Sequence, residues 1–234
     1  MINDLKSDLN KLADPEKAKL YQRYFKTGKG EYGEGDVFLG IIVPKQREIA
    51  KKYYDLDLKD LQELMNSKIH EHRMIGLFIL VNKYKTTDHK KIITHFYLKN
   101  AKIGRINNWD LVDLSAQNIL GTHLLDKDRK ILYDLAKSDN LWERRIAVLA
   151  TFMFIKNNDF QDSFKIAKLL LEDKRDLMHK AVGWMLREIG KRNQDVEEDF
   201  LKKHYKKMPR TMLRYAIERF NENKRKAYLN SRIC

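Results

Sequence analysis

The chain has a single cysteine, three prolines and no long apolar run, and each shortage narrows what it can be. One cysteine, Cys234, permits neither an intrachain disulfide nor a multi-cysteine zinc site. As the terminal residue it forms no prenylation box and is a poor nucleophile candidate. The longest apolar stretch, Ile146 to Ile155 with Thr151 inside it, is too short to cross a bilayer. The opening Met1-Ile2-Asn3-Asp4-Leu5-Lys6 lacks the apolar core of a signal peptide, so a cytoplasmic location is expected. Pro15, Pro44 and Pro209 each stand where a helical pattern begins, the position at which a missing amide costs nothing. No stretch alternates apolar and polar residues in strand fashion, and the expected fold class is all-α.

Positive charge is abundant. Forty-seven Lys and Arg against 33 Asp and Glu give a formal net charge of +14. Such an excess suits a polyanion, of which nucleic acid is the commonest, although a generally basic surface would give the same count.

Along the chain we expect one domain over 1–234. It comprises N-terminal helices in 1–27, a glycine-rich loop in 28–36, helical repeats in 44–221 and a short basic tail in 222–234. The loop contains a formal G-x-G-x-x-G at Gly28, Gly30 and Gly33, but neither the strand before it nor the helix after it that a dinucleotide site needs. It also lacks the Gly-Lys-Ser/Thr ending of a P-loop. It reads as a flexible loop able to move over a ligand.

Helices with one apolar stripe (Leu58, Leu61, Leu64 and Met65; Ile92, Ile93, Phe96 and Tyr97; Ile131, Leu132 and Leu135) alternate with helices apolar nearly all round, such as Ile75–Val81 and Ile146–Leu149. Alignment of the latter places Arg73, Arg145, Lys180 and Arg214 in register; the first interval is a double one with Trp109 at its midpoint, so the anchors run at intervals of 36, 36, 35 and 34. Two helices per unit at this period predict a HEAT-like solenoid. The tetratricopeptide signature W-x-x-L-G-x-x-Y is absent. Basic residues near the starts of successive parallel helices would make a ladder for phosphates, reinforced by unpaired amides and helix dipoles. Salt bridging inside each repeat is the competing role for Arg73, Arg145, Lys180 and Arg214.

Trp109 interrupts that ladder. Asp113 lies one helical turn on, on the same face, and is the repeat equivalent of Trp184. A lone Trp is usually core and a nearby Asp usually a cap. An aromatic ring beside a carboxylate at the centre of a basic stripe instead suits a cationic guest. Other chemistries lack their residues: His70-Glu71-His72 is too tight for H-E-x-x-H, and no serine occupies a G-x-S-x-G elbow. Trp142 reads as packing between repeats. No cofactor and no metal is expected.

Several segments together resemble the AlkD-type DNA alkylation repair glycosylases, a HEAT-like family, from about Asp14 to Phe220. They are Asp14-Pro15-Glu16-Lys17-Ala18 with Arg23-Tyr24; Phe38-Leu39-Gly40-Ile41 with Val43-Pro44 and Arg47; Trp109-Asp110 with Val112-Asp113; Asp139-Asn140 with Trp142 and Arg145; and Lys180-Ala181 with Gly183-Trp184 and Leu186-Arg187-Glu188. The resemblance implies a C-shaped solenoid holding duplex DNA against a basic concave face. It implies a catalytic trio at Trp109, Asp113 and Trp184, with Arg145 in the groove and Tyr24, Arg47 and Arg187 as DNA contacts. It further implies excision of cationic N3- or N7-alkylated purines such as 3-methyladenine and 7-methylguanine. A monomer with no obligate protein partner is expected. Asn108 stands where some members carry another Trp, and the Gly28–Gly35 loop is longer than in compact members. Some relatives bind DNA without excising a base. Non-catalytic recognition of damaged or branched DNA is therefore the second hypothesis, and a protein-binding scaffold the third.

Overall fold

The computed structural model describes residues 1–233; Cys234, on which the thiol expectations fall, lies outside the described residues. Among the described residues there are α-helices and no strand. The helices are α1 (Ile2–Lys11), α2 (Pro15–Tyr24), α3 (Val43–Lys52), α4 (Leu58–Met65), α5 (His70–Thr86), α6 (Lys90–Lys102) and α7 (Trp109–Ala116). There follow α8 (Lys130–Ala136), α9 (Leu141–Lys156), α10 (Gln161–Leu169), α11 (Asp176–Gly190), α12 (Gln194–His204), α13 (Arg210–Ala216) and α14 (Glu222–Leu229). The chain divides into two compact units, Met1–Ser115 and the remainder from Ala116.

Local sequence starts many of these helices. Asp14 accepts from the Lys17 amide at 3.1 Å ahead of Pro15. Asp57, Asn140, Asn193 and Asn221 cap α4, α9, α12 and α14 in the same way, each satisfying an amide that the helix leaves unpaired. Pro44 is the second residue of α3, and Pro209 directly precedes α13.

In the first unit α5 packs against α3, α4 and α6 and is buried along most of its length. In the second, α9 packs on α11 and α11 on α13, while α8 and α10 pack against α9, and α12 against α11. This row of enclosed helices flanked by half-buried ones is the two-layer arrangement of a helical-repeat fold. The predicted register falls on it. Arg73 is the fourth residue of α5, and Arg145, Lys180 and Arg214 are the fifth of α9, α11 and α13.

Three expectations need correction. Ile92 is 54% exposed, and the inward stripe of α6 is Ile93, Tyr97 and Ala101. The supposed basic tail includes a helix, α14, whose Tyr228 is buried edge-on to Tyr205 and Phe220. The glycine-rich loop is bonded back on itself: Gly28 and Gly30 amides donate to Glu31 and Glu34 carboxylates, and the Gly33 amide to the Lys26 carbonyl. Gly33 is required there. A Cβ would come within 2.5 Å of the Phe25 carbonyl and 3.3 Å of the Asn108 side chain.

Candidate functional site

Trp109 is the first residue of α7, although the repeat equivalents stand three or four residues inside their helices. The missing turn is replaced by an irregular passage ending at buried Asn108. Its carbonyl accepts from Val112 at 3.2 Å and its side chain from the Trp109 amide at 2.8 Å. Trp109 therefore sits at a helix N-terminus, where the dipole favours the carboxylates of Asp110 and Asp113.

The Trp109 ring is the outer end of an aromatic column within the first unit. It stacks on Phe25 at 5.2 Å with 10° between planes; Phe25 stacks on Phe38 at 4.9 Å, and Phe38 on the His70 imidazole at 4.5 Å. Tyr24, 66% exposed, stands edge-on to Trp109 at 6.0 Å. The Trp109 indole also donates to the Tyr32 hydroxyl. Trp109 and Asp113 are both half-buried, so the pair is presented to solvent. Asp113 lies near enough to Tyr97 to add its charge to the burial that pushes that phenol up, against a lowering hydrogen bond from Ser115.

At the base of the column, His70 is clamped between two carboxylates. Its Nδ1 contacts Asp36 at 3.1 Å and its Nε2 contacts Asp110 at 2.8 Å, while Arg73 pairs with the other Asp36 oxygen at 2.7 Å. Burial opposes charging of this imidazole, but the Asp110 and Asp36 carboxylates outweigh it and raise His70 to about 9. Burial would likewise raise Asp36, yet His70 and Arg73 hold it below the usual carboxylate range. His72, two residues away, is driven the other way: burial, with Lys6 and Arg73 nearby, lowers it to about 4. Glu71 between them is fully buried and accepts from the Leu39, Gly40 and Ile41 amides at 3.0, 2.9 and 3.2 Å.

The basic ladder is corrected at two rungs. Arg73 is 4% exposed and spent on Asp36 and the Ser67 carbonyl. Arg145 is 5% exposed and donates to the Leu177 carbonyl at 2.6 Å. Desolvating a guanidinium this far requires internal acceptors, and both have them, so neither is displayed to a phosphate in solution. Lys180 pairs with Asp176 at 2.7 Å while remaining partly exposed, Arg187 pairs with Glu218, and Arg214 is exposed. Arg47 is exposed, with its guanidinium 4.2 Å from the centre of the Phe78 ring. In the second unit Trp184 is half-buried, donates to Glu188 at 3.1 Å and lies 5.9 Å from Phe152. Trp142 is buried.

Sequence reasoning missed Asp36, Phe25 and the clamp on His70. The clamp residues lie 34 and 40 positions from their partner. Asp110 and Phe38 do occur within the segments that carry the family resemblance. Among the described residues no group of three or more His, Cys, Asp or Glu side chains is arranged to hold a metal ion. Among the described residues no helix is long and apolar enough to cross a membrane.

Residues 5–220 match the sequence model of a family described as DNA alkylation repair enzyme. No curated protein sequence matches the chain significantly. Among solved structures, one from Enterococcus faecalis described as a predicted DNA alkylation repair enzyme superposes with a TM-score of 0.67 at 17% identity, covering 90% of this chain and 97% of its own. The crystal structure of AlkD2 from Streptococcus mutans superposes with a TM-score of 0.59 at 20% identity, covering 88% of this chain and 99% of its own. At these identities the likeness is one of fold.

Proposed function

Since the chain belongs to the DNA alkylation repair enzyme family, we propose that it is a DNA N-glycosylase releasing cationic N3- or N7-alkylated purines from duplex DNA. The observation that carries this reading is the half-exposed pair on α7: an indole at the helix N-terminus, with a carboxylate one turn further along the same face.

The chemistry asks little more of the protein. An alkylated purine already carries positive charge and departs as a neutral base, so the leaving group needs no general acid. That removes one of the two carboxylates on which most glycosidases rely. As the bond breaks, positive charge develops on the deoxyribose. Asp113 stabilises it electrostatically and orients the attacking water. Trp109 lies against the sugar of the lesion, a cation–π contribution of about 0.5–2 kcal/mol. Exposed cations such as Arg47 and Arg214 fix position on the phosphates without reading sequence. Trp184, a half-buried indole of the second unit, is a separate candidate for contact with DNA.

The test is release of free methylated base from methylated duplex DNA. Asp113→Asn should reduce release about 10²–10³-fold, the usual cost of deleting one transition-state stabiliser, with duplex affinity little changed. Trp184→Ala, assayed separately, should weaken both. Wild-type release no faster than the spontaneous rate, under conditions where the duplex is bound, would overturn the excision reading in favour of non-catalytic DNA recognition.

A further inference from the structure

The glycine-rich loop has no part in the proposed chemistry, yet it carries Tyr32 onto the edge of Trp109. The half-buried Tyr32 hydroxyl accepts from the Trp109 indole N–H and donates to the Tyr24 carbonyl at 3.4 Å. Tyr24 ends α2, so that carbonyl is one the helix leaves without an intrahelical partner. The chain of bonds therefore runs from indole to phenol to the backbone of a helix end, all within the first unit. Tyr32 is itself held on both sides. The Gly28 and Gly30 amides close the loop onto Glu31 and Glu34, and Gly33 lies against the Phe25 carbonyl with no room for a side chain.

Stacking alone does not orient Trp109. Its inner face lies on Phe25 at 5.2 Å with 10° between planes. The torsion that turns an aromatic ring about its bond to Cβ is broad and roughly two-fold, so the indole could turn over on Phe25 and keep the stack. Such a turn would carry the N–H to the opposite edge, and the bond to Tyr32 holds one orientation against the other. Trp109 is half-buried, so water could serve its N–H, and the loop's acceptor is not needed merely to satisfy a buried donor. The indole has one donor and no acceptor, and that donor is committed inside the protein. With one face on Phe25 and Tyr24 edge-on at 6.0 Å, what remains for a guest is the second ring face. A ring face attracts a cation and offers nothing to a hydrogen-bond acceptor.

We propose that Tyr32 is a positioning residue, which fixes the Trp109 indole so that its open face, and not its N–H, meets the lesion nucleotide. The glycine-rich loop is the support that places Tyr32. This rests on the reading of Trp109 as a contact to the cationic nucleotide in base excision, and separate measurements test the two.

In the isotope-labelled full chain the three tryptophans give three indole N–H signals by NMR, and Trp109→Phe identifies the one from Trp109. Without DNA, that proton should exchange with water about two- to tenfold faster in Tyr32→Phe than in the wild type, the range expected for loss of one neutral hydrogen bond. The Trp142 and Trp184 signals should not change. Glu31→Ala with Glu34→Ala, which unties the loop but keeps Tyr32, should speed the same exchange. On methylated duplex, Tyr32→Phe should slow base release about two- to tenfold at unchanged duplex affinity. It should add no further loss in the Trp109→Phe background, where there is no N–H to hold; a merely structural role would slow both backgrounds alike. Equal exchange in wild type and Tyr32→Phe, or a release penalty that persists without the Trp109 N–H, would overturn the proposal. A wild type that releases no base refutes excision alone, and the exchange comparison then decides whether Tyr32 anchors Trp109.

Discussion

Alkaline pH should weaken the first unit through His70, by an amount the clamp geometry sets. The imidazole titrates at about 9 in the folded chain and near 6.5 when unfolded. Between those values the folded state keeps a proton that the unfolded state has released. Its stabilisation is therefore complete below pH 6.5 and is lost as pH rises through 9. A displacement of this size corresponds to roughly 3 kcal/mol, and with His70 only 2% exposed there is little solvent screening to discount. The groups facing the ring are Asp36, Asp110 and Arg73. Urea unfolding of the wild type and of His70→Gln at pH 6 and pH 10 isolates the contribution, because the other titrating groups are common to both chains and cancel in the difference. The penalty for the substitution should be roughly 3 kcal/mol larger at pH 6 than at pH 10. NMR titration of the ring supplies a second reading. A penalty independent of pH, or a ring titrating near 6.5, would refute the clamp as an ion triad.

The other perturbations are simpler. His72 has the opposite sign: with a folded value of about 4, it stays neutral while its unfolded counterpart protonates. Stability present above pH 6.5 should thus fall by roughly 3 kcal/mol on acidification to pH 4, a loss absent from His72→Gln in the same urea titrations. Glu71→Ala leaves the buried Gly40 and Ile41 amides and the part-buried Leu39 amide without an acceptor and should cost at least about 2 kcal/mol, read as a lower thermal midpoint. Gly183→Ala places a methyl 2.4 Å from the Met212 carbonyl where α11 crosses α13, and should cost about 1–3 kcal/mol in equilibrium unfolding.

The sequence made the large-scale order visible because repeats write it more than once. Arg73, Trp109, Arg145, Lys180 and Arg214 were aligned from spacing alone, and each lies near the start of an alternate helix. Caps and prolines marked helix starts by local rules acting over three or four residues. Side-chain fate was less legible. The same anchor position holds a buried guanidinium at Arg73 and an exposed one at Arg214, and the difference lies in whether Asp36 is near. Asp36 comes from an irregular segment outside any repeat, so no periodicity points to it. The Gly28–Gly35 stretch looked loose by composition; the Glu31 and Glu34 side chains that fold it are within the stretch, but their pairing depends on turn geometry. The Trp109–Asp113 pair was read from helical spacing. The column beneath Trp109 was not, since Phe25, Phe38 and His70 belong to three separate segments.

The His70 clamp also sets a timetable for folding on the ribosome. Asp36 emerges first, but its partners His70 and Arg73 follow 34 and more residues later, and His70 in turn waits for Asp110, another 40 residues on. At about 5–20 residues per second, the interval from Asp36 to Asp110 is about 4–15 s. Throughout it the nascent chain carries an incomplete charge cluster and a Phe25–Phe38 pair with no Trp109 to cover it. The first unit can close only once α7 has left the exit tunnel, so a pause in translation just before Asn107 would prolong the stage at which this half of the protein is most open to misassembly.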